Sequence, residues 1–200
     1  PAASLTGDAE SAIEHHMHEQ AGYHRGVTVN ACIVPALRAI LSEHEVSDTD
    51  IERIFGESSF IPKGRLPFFV MGIIEGFRWD FSTALHLLVP QAENSLRYLL
   101  ERKGIVPRNV DKDGVEEVWR LDRVLEHEDV LKIIGPANVY ELQSLLTARL
   151  GPNLRNGIAH GLLSHGALSG DVAVYAWWML FRLAILPTPI FQAYVQRQHP

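Results

Sequence analysis

Cysteine is almost absent from this 200-residue chain. Cys32 stands alone, so no internal disulfide can form and no multi-cysteine zinc site is open to it. That usage fits a reducing, cytoplasmic setting. A basic excess is missing as well. Lys and Arg number 18 against 24 Asp and Glu, for a formal net charge of −6 and a pI of about 5.9. Domains that hold nucleic acid by bulk charge are usually basic, so that class is disfavoured, although a local basic site is not. No signal peptide is legible. The most apolar stretch, Val172 to Phe191, has Arg182 near its centre and is broken by Pro187 and Pro189. A membrane span wants about 20 predominantly apolar residues, so this stretch reads as a buried helix and no membrane is expected. The chain opens on Pro1 rather than methionine, which fits a processed chain or a piece of a longer one.

Sustained two-residue alternation, internal repeats and low-complexity tracts are missing too. What is present is a 46% hydrophobic composition at a mean hydropathy of +0.01, ample for one globular core. Its periodicity is helical almost throughout. Ile33, Leu37, Ile40 and Leu41 mark a helix with Pro35 near its start, and Ser47 to Asp50 resembles a capping box ahead of another. Ser58 to Pro67 reads as a loop, giving an N-terminal helical segment over 1–60 and a main helical domain over 61–200. Phe68 to Phe77 reads as a helix. Asp80 is placed to cap the next one, along which Leu85, Leu88, Ala92, Leu96 and Leu99 keep a helical period up to Gly104. Pro90 should kink or divide it. Val115, Val118, Leu121 and Leu125 form one further stripe, and Val139, Leu142, Leu145, Leu146 and Leu150 another. The expected architecture is an all-α helical bundle with additional N-terminal helices.

One segment is chemically pointed: Arg155-Asn156-Gly157-Ile158-Ala159-His160-Gly161, which follows the turn Gly151-Pro152-Asn153-Leu154. Asn153 is placed as an N-cap, which sets Arg155 to His160 on the first turns of a helix. Asn156 and His160 then share a face, while Arg155 and His160 are about 140° apart. The helix N-terminus would favour a phosphate. Gly157 and Gly161, four positions apart, suggest the close approach of another backbone, from the bundle or from a second subunit. Such a set suits RNA cleavage by internal transesterification. A histidine can take the 2′-OH proton or supply one to the leaving oxygen, an arginine can hold the phosphate charge, and no metal or cofactor is needed. One histidine cannot readily be acid and base together, so a homodimer that brings two motifs together is natural. Arg149 and His165 flank the motif and can extend a phosphate track. An ordinary surface pair or buried network remains the competing reading.

Other segments are weaker. Glu14-His15-His16-Met17-His18-Glu19 offers pairs four apart that bind a metal only with a third ligand from elsewhere; a solvated face is the simpler reading. Asp111-Lys112-Asp113-Gly114 has the wrong downstream spacing for an EF-hand and reads as a turn. Trp177, Trp178 and Tyr175 read as core or interface anchors.

The heptapeptide matches the RNxxxHG signature of an uncharacterised domain family, which is similar to the HEPN superfamily (higher eukaryotes and prokaryotes nucleotide-binding). There an R-x4-6-H motif opens a helix in a compact bundle. Ile61-Pro62-Lys63-Gly64-Arg65, Asp80-Phe81, the run Ala84 to Arg97 and Asn153-Leu154-Arg155 also resemble this family, over about residues 60 to 190. The resemblance implies a metal-independent endoribonuclease acting as a dimer, with Arg155 and His160 catalytic and Asn156 in support. It further implies that Glu93 and Arg97 buttress the motif helix, beside Asn153, Gly157 and Gly161. RNA and a regulatory or antitoxin partner are the partners it suggests. Other members of the superfamily are inactive modules that bind nucleotide, RNA or protein, and that is the alternative.

Overall fold

Val29, Ile33 and Leu37 recur every fourth residue, and all three turn inward from one long helical rod. The rod comprises α1 (Ala2–Thr28), a π-helical turn (Val29–Ile33) and α2 (Val34–Glu43). The computed structural model describes residues 2–110, 114 and 116–198, with residues 2–11 and Val110 described by backbone alone. The spacing around Pro35 predicts a separate helix, yet the rod passes through that proline. A proline lacks the N–H for the ladder and crowds the carbonyl four residues before it. The wider π turn just upstream, where Val34 N–H reaches back to the Val29 carbonyl, accommodates it.

Helix α3 (Asp48–Phe55) starts at the capping box read from the sequence: Ser47 accepts from Asp50 N–H, and the Asp50 carboxylate accepts from Ser47 N–H. A turn-rich loop leads to α4 (Leu66–Phe77), which packs along α5 (Phe81–Glu101). Two glycines let α4 pack closely, Gly72 against α5 and Gly76 against Trp177 further along the chain. A Cβ on Gly72 would fall 2.6 Å from the Leu88 side chain, and one on Gly76 would fall 2.0 Å from the Trp177 indole. Pro90 does not divide α5. It sits on the exposed face, where water can take up the carbonyl its ring leaves unpaired.

The stripe expected from Val115 to Leu125 is not one helix. A short antiparallel hairpin, β1 (Arg108–Val110) with β2 (Glu116–Val118), precedes α6 (Leu121–Leu125). Strands this short show no alternation, and Asp111 to Asp113 lie outside the described residues. Then come α7 (Glu128–Ile134), α8 (Pro136–Leu142), a second π-helical turn (Gln143–Thr147), the short α9 (Leu154–Ala159), α10 (Asp171–Ile185) and α11 (Pro189–Gln198). The architecture is an all-α helical bundle with this one minor hairpin.

Helix α5 is the axis of the bundle. Its Leu85, Leu88, Leu96 and Leu100 are fully buried beside Phe69 and Ile73 of α4 and Trp177 of α10. Each such side chain contributes roughly 1.5–3 kcal/mol by burial. Trp177 is a core residue, edge-on to Phe77 and Phe81 at 5.4 and 5.8 Å and stacked on Phe181 at 5.6 Å. The same core continues into Leu37 and Phe55, so residues on both sides of the Ser58–Pro67 loop share it. Arg25 ties α1 to Glu141 at 3.0 Å, and His18 Nδ1 lies 3.0 Å from the Ser144 hydroxyl.

The Val172–Phe191 stretch becomes α10 and α11, which meet at an 87° bend. A different helix, Ala12–Glu43, has the length and hydropathy (1.2 over its most apolar window) of a membrane-crossing segment. Its Val29, Ile33 and Leu37 face belongs to the core.

Candidate functional site

Helix α5 presents Glu93 and Arg97 on one face, one helical turn apart. Arg97 donates to the Glu93 carboxylate at 2.8 Å and to the Trp119 carbonyl at 3.1 Å, which fixes α5 to the segment leaving the hairpin. From the other side Arg155 of α9 donates to the same carboxylate, Nε to Oε2 at 3.0 Å and Nη2 to Oε1 at 3.4 Å. Glu93 is therefore held between two guanidinium groups, its side chain only 10% exposed. Arg155 is 34% exposed. Its Nη1 makes no hydrogen bond among the described residues, so one edge of the fork is anchored and the other is open. A guanidinium locked in this way is prepared for a second anion, because little rotamer freedom is left to lose.

Arg155 also lines a cleft of about 220 Å³. Arg155, Asn156 and Asn153 line it from α9 and its approach, Arg149 from the loop before α9, and Arg120 from the residue before α6. Leu121 and Leu146 supply apolar wall, and Asp122 is the one acidic group lining it. Neither asparagine carboxamide has a side-chain hydrogen bond among the described residues, so both are free to meet a ligand. Sequence reading placed Arg149 beside the motif but missed Arg120. Arg120 follows a hairpin that carries no periodic signal, and only the fold brings it to α9.

Helix α9 differs from its expected form. It runs only from Leu154 to Ala159, which is too short for a helix-dipole argument. Asn153 occupies the N-cap position in the left-handed region (φ 47°, ψ 44°) and caps nothing with its side chain. Asparagine tolerates that conformation better than most residues. Gly161 is not on the helix. It lies just past its end at φ 64°, with Leu162 N–H bonded to the Gly157 carbonyl at 2.8 Å and Gly161 N–H to Ile158 at 3.2 Å. These two bonds are a Schellman ending, where glycine is favoured because a Cβ strains the left-handed backbone. The neighbour that crowds Gly157 is a side chain of the same chain, not the backbone of another element. A Cβ there would fall 2.6 Å from the Leu163 side chain as it folds back.

His160 is consequently the C-cap of α9, exposed and outside the cleft lining. Its N–H donates to the Asn156 carbonyl at 3.1 Å. Among the described residues no hydrogen bond joins the Asn156 and His160 side chains, and Asn156 lines the cleft. At about 1.5 Å rise per residue, Arg155 and His160 stand at opposite ends of α9. His165 lies elsewhere, 3.5 Å from the Ser169 hydroxyl.

The histidines of α1 pair locally. His15 and His16 approach Glu19 at 3.7 and 3.8 Å, and His18 approaches Glu14 at 3.9 Å. Among the described residues no group of three metal-ligating side chains converges. Comparison with known proteins finds no matching family model, no matching curated protein and no matching solved structure.

Proposed function

We propose that this chain is a HEPN-type, metal-independent endoribonuclease that acts in the cytoplasm as a homodimer. The observation that carries the reading is the arginine of the RNxxxHG segment, held by Glu93 through Nε and Nη2 and lining a polar cleft. In the proposed reaction the 2′-oxygen of one nucleotide attacks the adjacent phosphorus and the 5′-oxygen leaves, giving a 2′,3′-cyclic phosphate and a 5′-hydroxyl. Arg155 stabilises the charge that builds on the phosphate, and Asn156 hydrogen-bonds a non-bridging oxygen. His160 protonates the departing 5′-oxygen while the 2′-hydroxyl proton passes to solvent, and its place outside the cleft lining of its own chain favours donation by a second copy.

The test is incubation of end-labelled mixed RNA in EDTA with wild type, Arg155→Ala and His160→Ala, each shown to be folded by circular dichroism. Cleavage by wild type alone is expected, with cyclic phosphate ends. Equal cleavage by His160→Ala rejects the assignment. A second reading is favoured by the same separation of His160 from the cleft: a non-catalytic module that binds nucleotide, RNA or a partner protein through Arg155. It requires an uncleaving wild type whose ligand affinity falls in Arg155→Ala.

A further inference from the structure

The cleft contains more cationic charge than the RNxxxHG segment accounts for. Arg155 is already half-neutralised by Glu93, yet Arg149 and Arg120 join it around the same space. Arg149 is exposed and forms no ion pair among the described residues. Arg120 has only a loose pairing, 3.5 Å from Asp122, with its side chain 75% exposed. In a chain of net charge −6, three arginines gathered on one concave surface, against Asp122 as the one carboxylate in the lining, are a local reversal of charge. Among the described residues Arg149 makes no side-chain hydrogen bond, and Arg120 meets only its near neighbour Asp122.

The lining indicates the class of ligand. Guanidinium forks match phosphate oxygens, and the Asn153 and Asn156 carboxamides add neutral donors. No aromatic ring lines the cleft, so a base has nothing to stack on there. A volume of about 220 Å³ suits a phosphate with part of its sugar rather than a whole nucleotide.

We infer that Arg120 and Arg149 form a second phosphate seat beside Arg155, which grips the backbone of single-stranded RNA without reading its bases. The inference rests on the ribonuclease reading for the identity of the polymer, but not for the existence of the seat. Contacts of this kind position the strand and carry no sequence information. Their number sets how steeply binding falls with salt.

The probe is a fluorescent single-stranded 2′-O-methyl RNA, which binds but cannot undergo transesterification. Anisotropy titrations across a salt series compare the full-length wild type with Arg149→Ala, Arg120→Ala and, as a control for lost surface charge, Arg53→Ala on the far-exposed end of α3. Each seat variant is expected to weaken binding about three- to ten-fold and to lower the slope of log K against log salt by about one, equally for two unrelated sequences and an abasic strand. Arg53→Ala is expected to change neither. Unchanged affinity and slope in both seat variants overturns the inference even if wild type cleaves ordinary RNA. A loss confined to one base sequence overturns its base-independence. Competition by millimolar inorganic phosphate with no binding of the oligonucleotide shows a small-phosphate site and overturns the backbone assignment. A seat that behaves as expected in a protein that cleaves no RNA sustains the inference and rejects the nuclease reading instead.

Discussion

Arg155 reaches Glu93 with Nε at 3.0 Å and Nη2 at 3.4 Å, while Arg97 holds the same carboxylate from behind at 2.8 Å. The site thus rests on one buried anion shared by two cations, and the three members are not equivalent. Removal of Glu93 leaves Arg97 and Arg155 facing each other in a partly dry space. Removal of Arg155 leaves Glu93 still paired.

Glu93→Gln is therefore expected to destabilise the protein by about 2–4 kcal/mol, lowering Tm by roughly 5–15 °C. Arg155→Ala should cost only about 1 kcal/mol, because its side chain is a third exposed and its loss strands no charge. Calorimetry on the two variants checks the order. Arg155→Lys should not restore RNA binding, since an ammonium cannot grip Glu93 and a phosphate with two edges of one fork.

The motif glycines make opposite demands. Gly161→Ala meets no atom within 4 Å but puts a Cβ on a backbone at φ 64°, so a cost of about 1 kcal/mol is expected. Gly157→Ala drives its methyl into Leu163 and should cost about 1–3 kcal/mol. Leu163→Ala should then rescue Gly157→Ala in part and leave Gly161→Ala unrelieved. A double-mutant cycle by urea denaturation separates the two effects.

Gly76 is the clearest packing constraint in the core. An added Cβ would overlap the Trp177 indole at 2.0–2.6 Å, and Trp177 is itself wedged among Phe77, Phe81 and Phe181. Gly76→Ala is expected to destabilise by at least about 2 kcal/mol and to shift tryptophan fluorescence in the folded state. An unchanged spectrum and midpoint would refute this placement of α4 on α10.

The cap of α5 carries a pH dependence. Asp80 accepts from Thr83 N–H at 2.9 Å and from the Thr83 hydroxyl at 2.7 Å, and these bonds hold its carboxyl below the ordinary 3.8. A depressed folded pKa adds stability that is whole above the unfolded value. It declines as pH falls below about 4 and is gone once pH passes under the folded value. Asp80→Ala should cost about 0.5–2 kcal/mol at pH 7 and progressively less towards pH 3. Urea midpoints at the two pH values check this.

Much of the fold was legible because burial imposes the helical period directly. Leu85, Leu88 and Leu96 announce α5, and Ser47 and Asp80 announce helix starts through hydrogen bonds to their own neighbours. What escaped depends on distant partners. The hairpin strands are three residues each and are fixed by their mutual register, which no local pattern carries. Gly161 looked like a helix residue because its spacing from Gly157 is helical, and only the chain reversal at Leu162 shows it as a terminator. At the site, the link from Glu93 and Arg97 to the motif was expected and the contact with Arg155 is present. Arg120 had no sequence signal, and the end of α9 at His160 is set by the chain reversal that follows it.

The central proposal is that Arg155 and His160 act on one phosphodiester, each contributed by a different copy of the chain. It is tested most directly by mixing Arg155→Ala with His160→Ala, each inactive alone, and following RNA cleavage in EDTA. Random exchange should give mixed dimers with one intact composite site, and cleavage should recover to about one quarter of wild type. Mixed dimers that form, as shown by differentially tagged pull-down, yet cleave no better than either parent would contradict the shared site.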